Sequence, residues 1–227
     1  DIVMQNDKTL NQLGVYDANA DLHYNTADLK SVAIIDDSWV AMDETRDAFT
    51  GHFDTAVDGD KTPYNGAKSI NIRLTRPFAK LRIITTDMEQ LNDLVIEPTT
   101  ATVEYTTDLY SSFNAFAGAV NTTAPMRKTH SDFAIEAYDD NVDNKSKVLF
   151  TDYFFAADQE EVVNFTLKVY DQDGVIIGKE TNFNTPIPAR RNYLTTISGN
   201  ILTDGNKIEV TVTDEFANAD TSTNAPY

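Results

Sequence analysis

Residues 186–203 read PIPARRNYLTTISGNILT: two prolines punctuate a loop, Arg190 and Arg191 follow, and Tyr193, Thr195 and Ile197 alternate in a run of β-formers. Period-two alternation places these three side chains on one face of a strand. The same pattern recurs on both sides of this stretch. Phe133, Ile135 and Ala137 carry it, as do Val148 and Phe150, then Val163, Phe165, Leu167 and Val169, and beyond it Ile208, Val210 and Val212. Nearer the N-terminus, Ile70, Ile72 and Leu74 point one way, and Ala79, Leu81 and Ile83 take the opposite parity across Arg76 and Pro77. Proline cannot donate to a ladder, so a bulge or sharp bend is expected at Pro77. Strands this short and this regularly alternating predict an all-β sandwich with one or two short helices. Ile72, Leu74, Leu81, Ile83, Phe165, Leu167 and Ile197 are its expected buried positions.

Turn chemistry separates the strands. Residues 171–174, DQDG, lie between Val169 and Ile176, and Gly174 can take the positive φ that a hairpin loop requires. Residues 86–94, TDMEQLNDL, predict one or two helical turns, with Thr86 as N-cap and Glu89 closing a capping box. Residues 111–119, SSFNAFAGA, fit a strand or a short helix, and their apolar spacing does not decide.

The chain has 227 residues, 41% of them hydrophobic, enough for one large domain with a real core. A formal charge of -18, from 36 acidic and 18 basic residues, argues against nucleic acid and against anionic lipid, since both require clustered Lys and Arg. Zero cysteines exclude disulfides, thiol catalysis, thiolate metal sites and a lipobox within this chain. No run approaches the ~20 apolar residues that span a bilayer, so no direct membrane insertion is expected.

Chemical signatures are sparse. His23, His52 and His130 lack zinc-like spacing, and the serines lack a G-x-S-x-G elbow. Asp36–Asp37 and Asp139–Asp140 imitate a glycosidase pair, but a chain with 36 acidic residues produces such neighbours by chance. Residues 139–144, DDNVDN, offer calcium-type oxygens without the central glycine and terminal glutamate of an EF-hand, so a solvated turn is the default there and at Asp58 and Asp60. No catalytic residue, no cofactor site and no metal site is expected. Trp39, the single tryptophan, stands between Asp36–Asp37 and Asp43–Glu44. It is either a core anchor or an exposed platform for stacking a glycan.

Four groups of residues carry a family resemblance. Residues 47–51, DAFTG, precede 69–87, SINIRLTRPFAKLRIITTD, with its Arg76-Pro77-x-Ala79-Lys80 centre; residues 28–34, DLKSVAI, come before both, and Arg191-Asn192 after them. In this order and spacing they resemble the fimbrillin-like domains of Bacteroidales surface lipoproteins, across roughly residues 28–203. The resemblance implies a Greek-key, transthyretin-like β-sandwich and a noncatalytic structural or adhesive role, as a pilus subunit or pilus-associated protein. It implies the cell surface, on the extracellular side of an outer membrane, with the lipoprotein anchor outside this chain. The implied partners are other pilus subunits or the protein itself, and host or bacterial surface glycan or protein. The alternative within the same fold is a monomeric module that binds glycan or protein.

The resemblance also divides the chain into a sandwich over 1–206, allowing for a first strand lost before residue 1, and a C-terminal strand with a polar tail over 207–227. Residues 207–213, KIEVTVT, follow the strand that closes the domain in the family, so Ile208, Val210 and Val212, with Phe216 beyond, are the expected strand-exchange residues.

Overall fold

Runs of β-branched and aromatic residues broken by Gly, Asp and Asn give strands throughout. In the computed structural model the described residues are 2–7, 12–17, 21–54, 72–135, 145–203 and 206–214. The strands are β1 (Ile2–Asp7), β2 (Gln12–Asp17), β3 (Tyr24–Asn25), β4 (Val32–Ile34), β5 (Thr50–Asp54), β6 (Phe78–Thr85), β7 (Pro98–Tyr105) and β8 (Leu109–Asn114). They continue as β9 (Ala119–Met126), β10 (Thr129–Ala134), β11 (Lys147–Phe155), β12 (Glu161–Asp171), β13 (Thr181–Ala189), β14 (Leu194–Asn200) and β15 (Asn206–Thr213). A single α-helix among the described residues, α1 (Met88–Asp93), follows β6, and single 3-10 turns occupy Asp36–Ser38 and Glu44–Arg46.

Two four-stranded sheets, ordered β11-β6-β14-β15 and β10-β7-β12-β13, enclose the main core. Ala79, Leu81, Ile83, Phe150, Phe154 and Ile197 come from the first; Ala101, Val103, Tyr105, Phe165, Leu167 and Phe183 come from the second. The chain is therefore an all-β sandwich. Its central pair is parallel: β14 lies beside β6 in register Leu194↔Lys80 to Gly199↔Thr85, while β11 and β15 flank them antiparallel. A second layer, from the sheets β3-β4-β8-β9 and β1-β2-β5, covers the other face of the first sheet, where Tyr16, Tyr24, Leu29 and Phe113 pack with Phe78, Tyr153 and Phe155.

That second layer explains where the alternation succeeds and where it misleads. Leu81, Ile83, Phe165, Leu167 and Ile197 are all buried, as expected. Ile72 and Leu74 are only half-buried and lie outside any strand. The ladder starts at Phe78, and Thr75 instead exchanges both backbone hydrogen bonds with Thr50 at 2.9 Å, which turns the chain before Pro77. Lys80 and Arg82, on the face opposite Leu81 and Ile83, are buried as well because β6 is covered on both sides. The Lys80 ammonium reaches Glu44 Oε2 at 2.5 Å and lies 5.2 Å from the Tyr153 ring centroid.

The expected hairpin turn is present: Gly174 has φ 75°, and Asp171 Oδ1 accepts from the Asp173 and Val175 amides. The ambiguous segment 111–119 resolves into the end of β8 followed by a turn. The capping box does not form. The helix begins one residue late with Asp87 as its N-cap, and the Asp87 carboxylate accepts instead from the Leu202 and Thr203 amides and the Thr203 hydroxyl, tying α1 to the turn after β14. The division at 206/207 marks no break in the sheet, since β15 is hydrogen-bonded to β14 along its length.

Candidate functional site

Among the described residues the main core contains one charged cluster. Asp152 sits in the middle of β11 with inward parity, between the apolar Phe150 and Phe154, and its side chain is fully buried. Five donors surround it: Oδ1 accepts from Trp39 Nε1 at 2.8 Å, Arg46 at 3.1 Å and the Tyr153 amide at 2.8 Å, and Oδ2 has the Tyr105 hydroxyl at 2.9 Å and His130 Nε2 at 3.1 Å. A carboxylate has about four lone-pair positions, so its accepting capacity is filled.

Four of the five donors come from outside β11. Tyr105 ends β7 and His130 lies on β10, in the facing sheet, while Trp39 and Arg46 belong to the β4–β5 connection. That connection crosses the open side of the sandwich, between the edge strands β10 and β11. It is fastened there by the Met42 amide donating to Thr151 O at 3.0 Å and by Arg46 donating to Tyr153 O at 2.8 Å. Tyr24 donates to Arg46 O from the second layer. Burial pushes Asp152 toward protonation, but His130 beside it, then Arg46 and the Trp39 hydrogen bond, outweigh this and hold the carboxyl below its ordinary range. Burial, then the neighbouring Asp152 charge, raises Tyr105 well above the usual phenol. The arrangement keeps a carboxylate charged and a phenol neutral in the core, and its groups point at one another rather than at a cavity. It is a clamp on the 39–46 connection.

Three of the four groups that carry the family resemblance, 47–51, Arg76-Pro77 and Arg191-Asn192, meet at a second place. Arg76 grips Asp47 with two hydrogen bonds of 2.6 Å and lies 4.6 Å from the Phe49 ring centroid. Asn192 takes a left-handed φ of 67°, which Asn tolerates, and its Oδ1 accepts from the Arg76 amide at 3.2 Å while its own amide donates to Phe78 O. Arg191 is bound to Asp158 and to Gly118 O. Gly51 is required by space: a Cβ there would stand 2.6 Å from Ile72 and 2.9 Å from Arg73 O. These motifs therefore build the junction that lays β14 parallel to β6.

The expected functional positions fall as follows. Trp39 is 2% exposed, so no indole face is open to a sugar, and the core-anchor reading replaces the glycan platform. Ile208 and Val212 are 38% and 37% exposed on an edge strand, Val210 packs against the core, and Phe216 lies outside the described residues. The acidic loop 139–144 and residues 58 and 60 also lie outside them. Among the described residues no three His, Asp or Glu groups are placed to hold a metal ion, and no helix is long and apolar enough to cross a membrane. His23 Nε2 is 3.2 Å from the Thr45 hydroxyl, and His52 is exposed. The cluster around Asp152 was not read from the sequence. Its one legible signal is a lone acid at inward parity in KVLFTDYFF.

Similar solved structures include a candidate cell-adhesion protein from Bacteroides uniformis, at 12% identity and TM-score 0.44, covering 89% of this chain and 72% of that one. The tip fimbrial protein Mfa3 of Porphyromonas gingivalis, truncated at its C-terminus, is 10% identical with TM-score 0.43, covering 89% and 78%. A candidate adhesin from Bacteroides thetaiotaomicron is 9% identical with TM-score 0.40, covering 89% and 75%. Likeness this distant does not transfer function. No curated protein matches the sequence. The model of DUF6562, a family of unknown function, matches residues 11–226, and the chain belongs to that family.

Proposed function

We propose that this member of the DUF6562 family is a noncatalytic structural or adhesive protein of the cell surface, a fimbrillin-like pilus subunit or pilus-associated protein that assembles by strand exchange through β15. The observation that supports the reading most is the convergence of the resemblance motifs, Asp47 to Gly51, Arg76-Pro77 and Arg191-Asn192, on the junction that sets β14 beside β6. β15 is then the outermost strand of the core sheet, held along one edge by β14 alone, with Ile208 and Val212 half in water. An amphipathic edge strand is the element that exchanges most easily, because the same ladder and the same face can be offered to a second copy. In the proposed assembly, β15 leaves its own sheet and pairs with the core sheet of a neighbour.

The absence of cysteine makes a direct test available. Thr196 and Thr211 are paired across β14 and β15. A Thr196→Cys/Thr211→Cys variant, oxidised, locks β15 in its own sheet. The expected result is that polymers surviving dilution form with the reduced variant and not with the oxidised one, while both stay folded by circular dichroism. Equal polymer from both would remove strand exchange from the account.

A further inference from the structure

Two neighbouring residues at the start of β3 hold the β4–β5 connection, and they hold it differently. Tyr24 is buried, and its hydroxyl donates to Arg46 O at 2.9 Å. His23, one residue earlier, meets the same turn with a side chain that is 15% exposed. Its carbonyl also fixes the beginning of the connection by accepting the Ile35 amide at 2.9 Å. The imidazole stands edge-on to Tyr24, with ring centroids 6.5 Å apart, and faces Asp43 and Thr45.

Counting hydrogen bonds places the ring proton. The Thr45 hydroxyl has one hydrogen, and it goes to Asp43 Oδ1 at 2.6 Å, where the Thr45 amide also donates at 2.9 Å. Toward His23 Nε2, 3.2 Å away, that hydroxyl can only accept, so the neutral ring carries its hydrogen on Nε2. Nδ1 is left as a bare acceptor. It is buried, it has no hydrogen-bond partner among the described residues, and it faces Asp43 Oδ2 at 3.9 Å. Two acceptors turned toward each other out of water are costly, and a single proton corrects the mismatch. Held on Nδ1, it satisfies the nitrogen and converts the contact into a charged pair, which closes by about 1 Å to the length of a charge-assisted hydrogen bond. No other charge competes for the ring. Glu44 is taken by Lys80 and Tyr153, Arg46 by Asp152 and Tyr153 O, and Asp21, two residues before His23, by the Thr26 hydroxyl. Asp36 and Asp37, in the turn that follows β4, are exposed.

We infer that His23 is a proton-operated latch: in mild acid it takes up a proton at Nδ1, binds Asp43 and draws the 43–45 turn onto β3. The latch acts on the connection that the Asp152 cluster clamps from inside the core, and it involves neither β15 nor assembly. Its partial exposure lets the proton in from solvent. The pair exists only in the folded state and only with the ring charged, so its contribution is present at acidic pH. It is lost as pH rises through the ordinary imidazole range, about 6.5. Enclosure of the ring opposes the charge, and the Asp43 carboxylate, ionised throughout that range, supplies the counter-charge.

Two measurements on the full chain test the latch. Nitrogen-15 NMR of the imidazoles at about pH 8, where the ring is neutral, should find the His23 hydrogen on Nε2. In Thr45→Val, which removes the acceptor, it should move to Nδ1 and donate to Asp43. Urea unfolding from about pH 8 to about pH 5.5 then compares wild type with His23→Gln and Asp43→Asn. As pH falls, wild type should gain on His23→Gln by about threefold in the unfolding equilibrium constant, the size expected of a partly exposed ion pair. Asp43→Asn should show none of this gain. His52 and His130 are present in all three proteins, so their titration cancels in the comparison. A hydrogen on Nδ1 in the wild type, or one that stays on Nε2 in Thr45→Val, would overturn the bonding on which the latch depends. A wild-type advantage that is flat with pH, or one that persists in Asp43→Asn, would overturn the latch itself.

Discussion

Two charged clusters join distant parts of this chain, and they differ in depth. At Asp152 every partner is enclosed, and the carboxylate has no exposed surface. At Asp47 and Arg76 the side chains are still 31% and 17% exposed, so water can take over part of what either one loses. The difference teaches that similar ion pairs do unequal work. The enclosed one has no substitute partner if broken, whereas the open one fixes geometry at modest energetic weight.

The largest expected effect follows from that. Asp152→Ala leaves Arg46 buried without its counter-charge and should destabilise by about 3–5 kcal/mol in denaturant unfolding. Leu167→Ala, a purely apolar truncation in the same core, should lose about 2–5 kcal/mol. If Asp152→Ala proved much milder than this, water would have to reach Arg46. Trp39→Phe keeps the ring and removes one donor to the buried carboxylate, and should lose about 1–3 kcal/mol. Arg76→Ala should lose only about 1 kcal/mol, and a loss as large as that of Asp152→Ala would erase the contrast.

Acid should separate the clusters as well. The folded-state pKa of Asp152 is below its ordinary 3.8, so its contribution is present above that value and disappears as pH falls below 3.8 through the folded pKa. Wild type should therefore lose stability more steeply in that window than Asp152→Asn, as followed by unfolding at a series of pH values. The smallest effect expected is none: excess EDTA should leave the melting temperature unchanged.

Their legibility in the sequence differs for the same physical reason. Arg76, Asp47 and Asn192 act beside a proline, a glycine and a left-handed turn, and such backbone needs leave short motifs. The Asp152 cluster draws Trp39, Arg46, Tyr105 and His130 from four separated positions, and no local pattern links them. Alternation found β12 and β14 because each sends one face into the core. It gives no sign that Lys80 and Arg82 are buried too, because a second layer of short strands, β3 and β4 among them, covers the outer face of β6, and two- or three-residue strands have no period to read. Residues 72–74 misled because their apolar side chains cover a bend rather than pair in a ladder.

The clamp on the 39–46 connection is tested most directly by amide hydrogen exchange at Met42, whose N–H bonds to Thr151 O across the seam. In Asp152→Asn, Met42 should exchange far faster than in wild type, while the amides of Leu167 and Ile197 remain the slowest in the molecule. Met42 protection unchanged from wild type would show that the connection is held without the buried carboxylate and would contradict the role assigned to it.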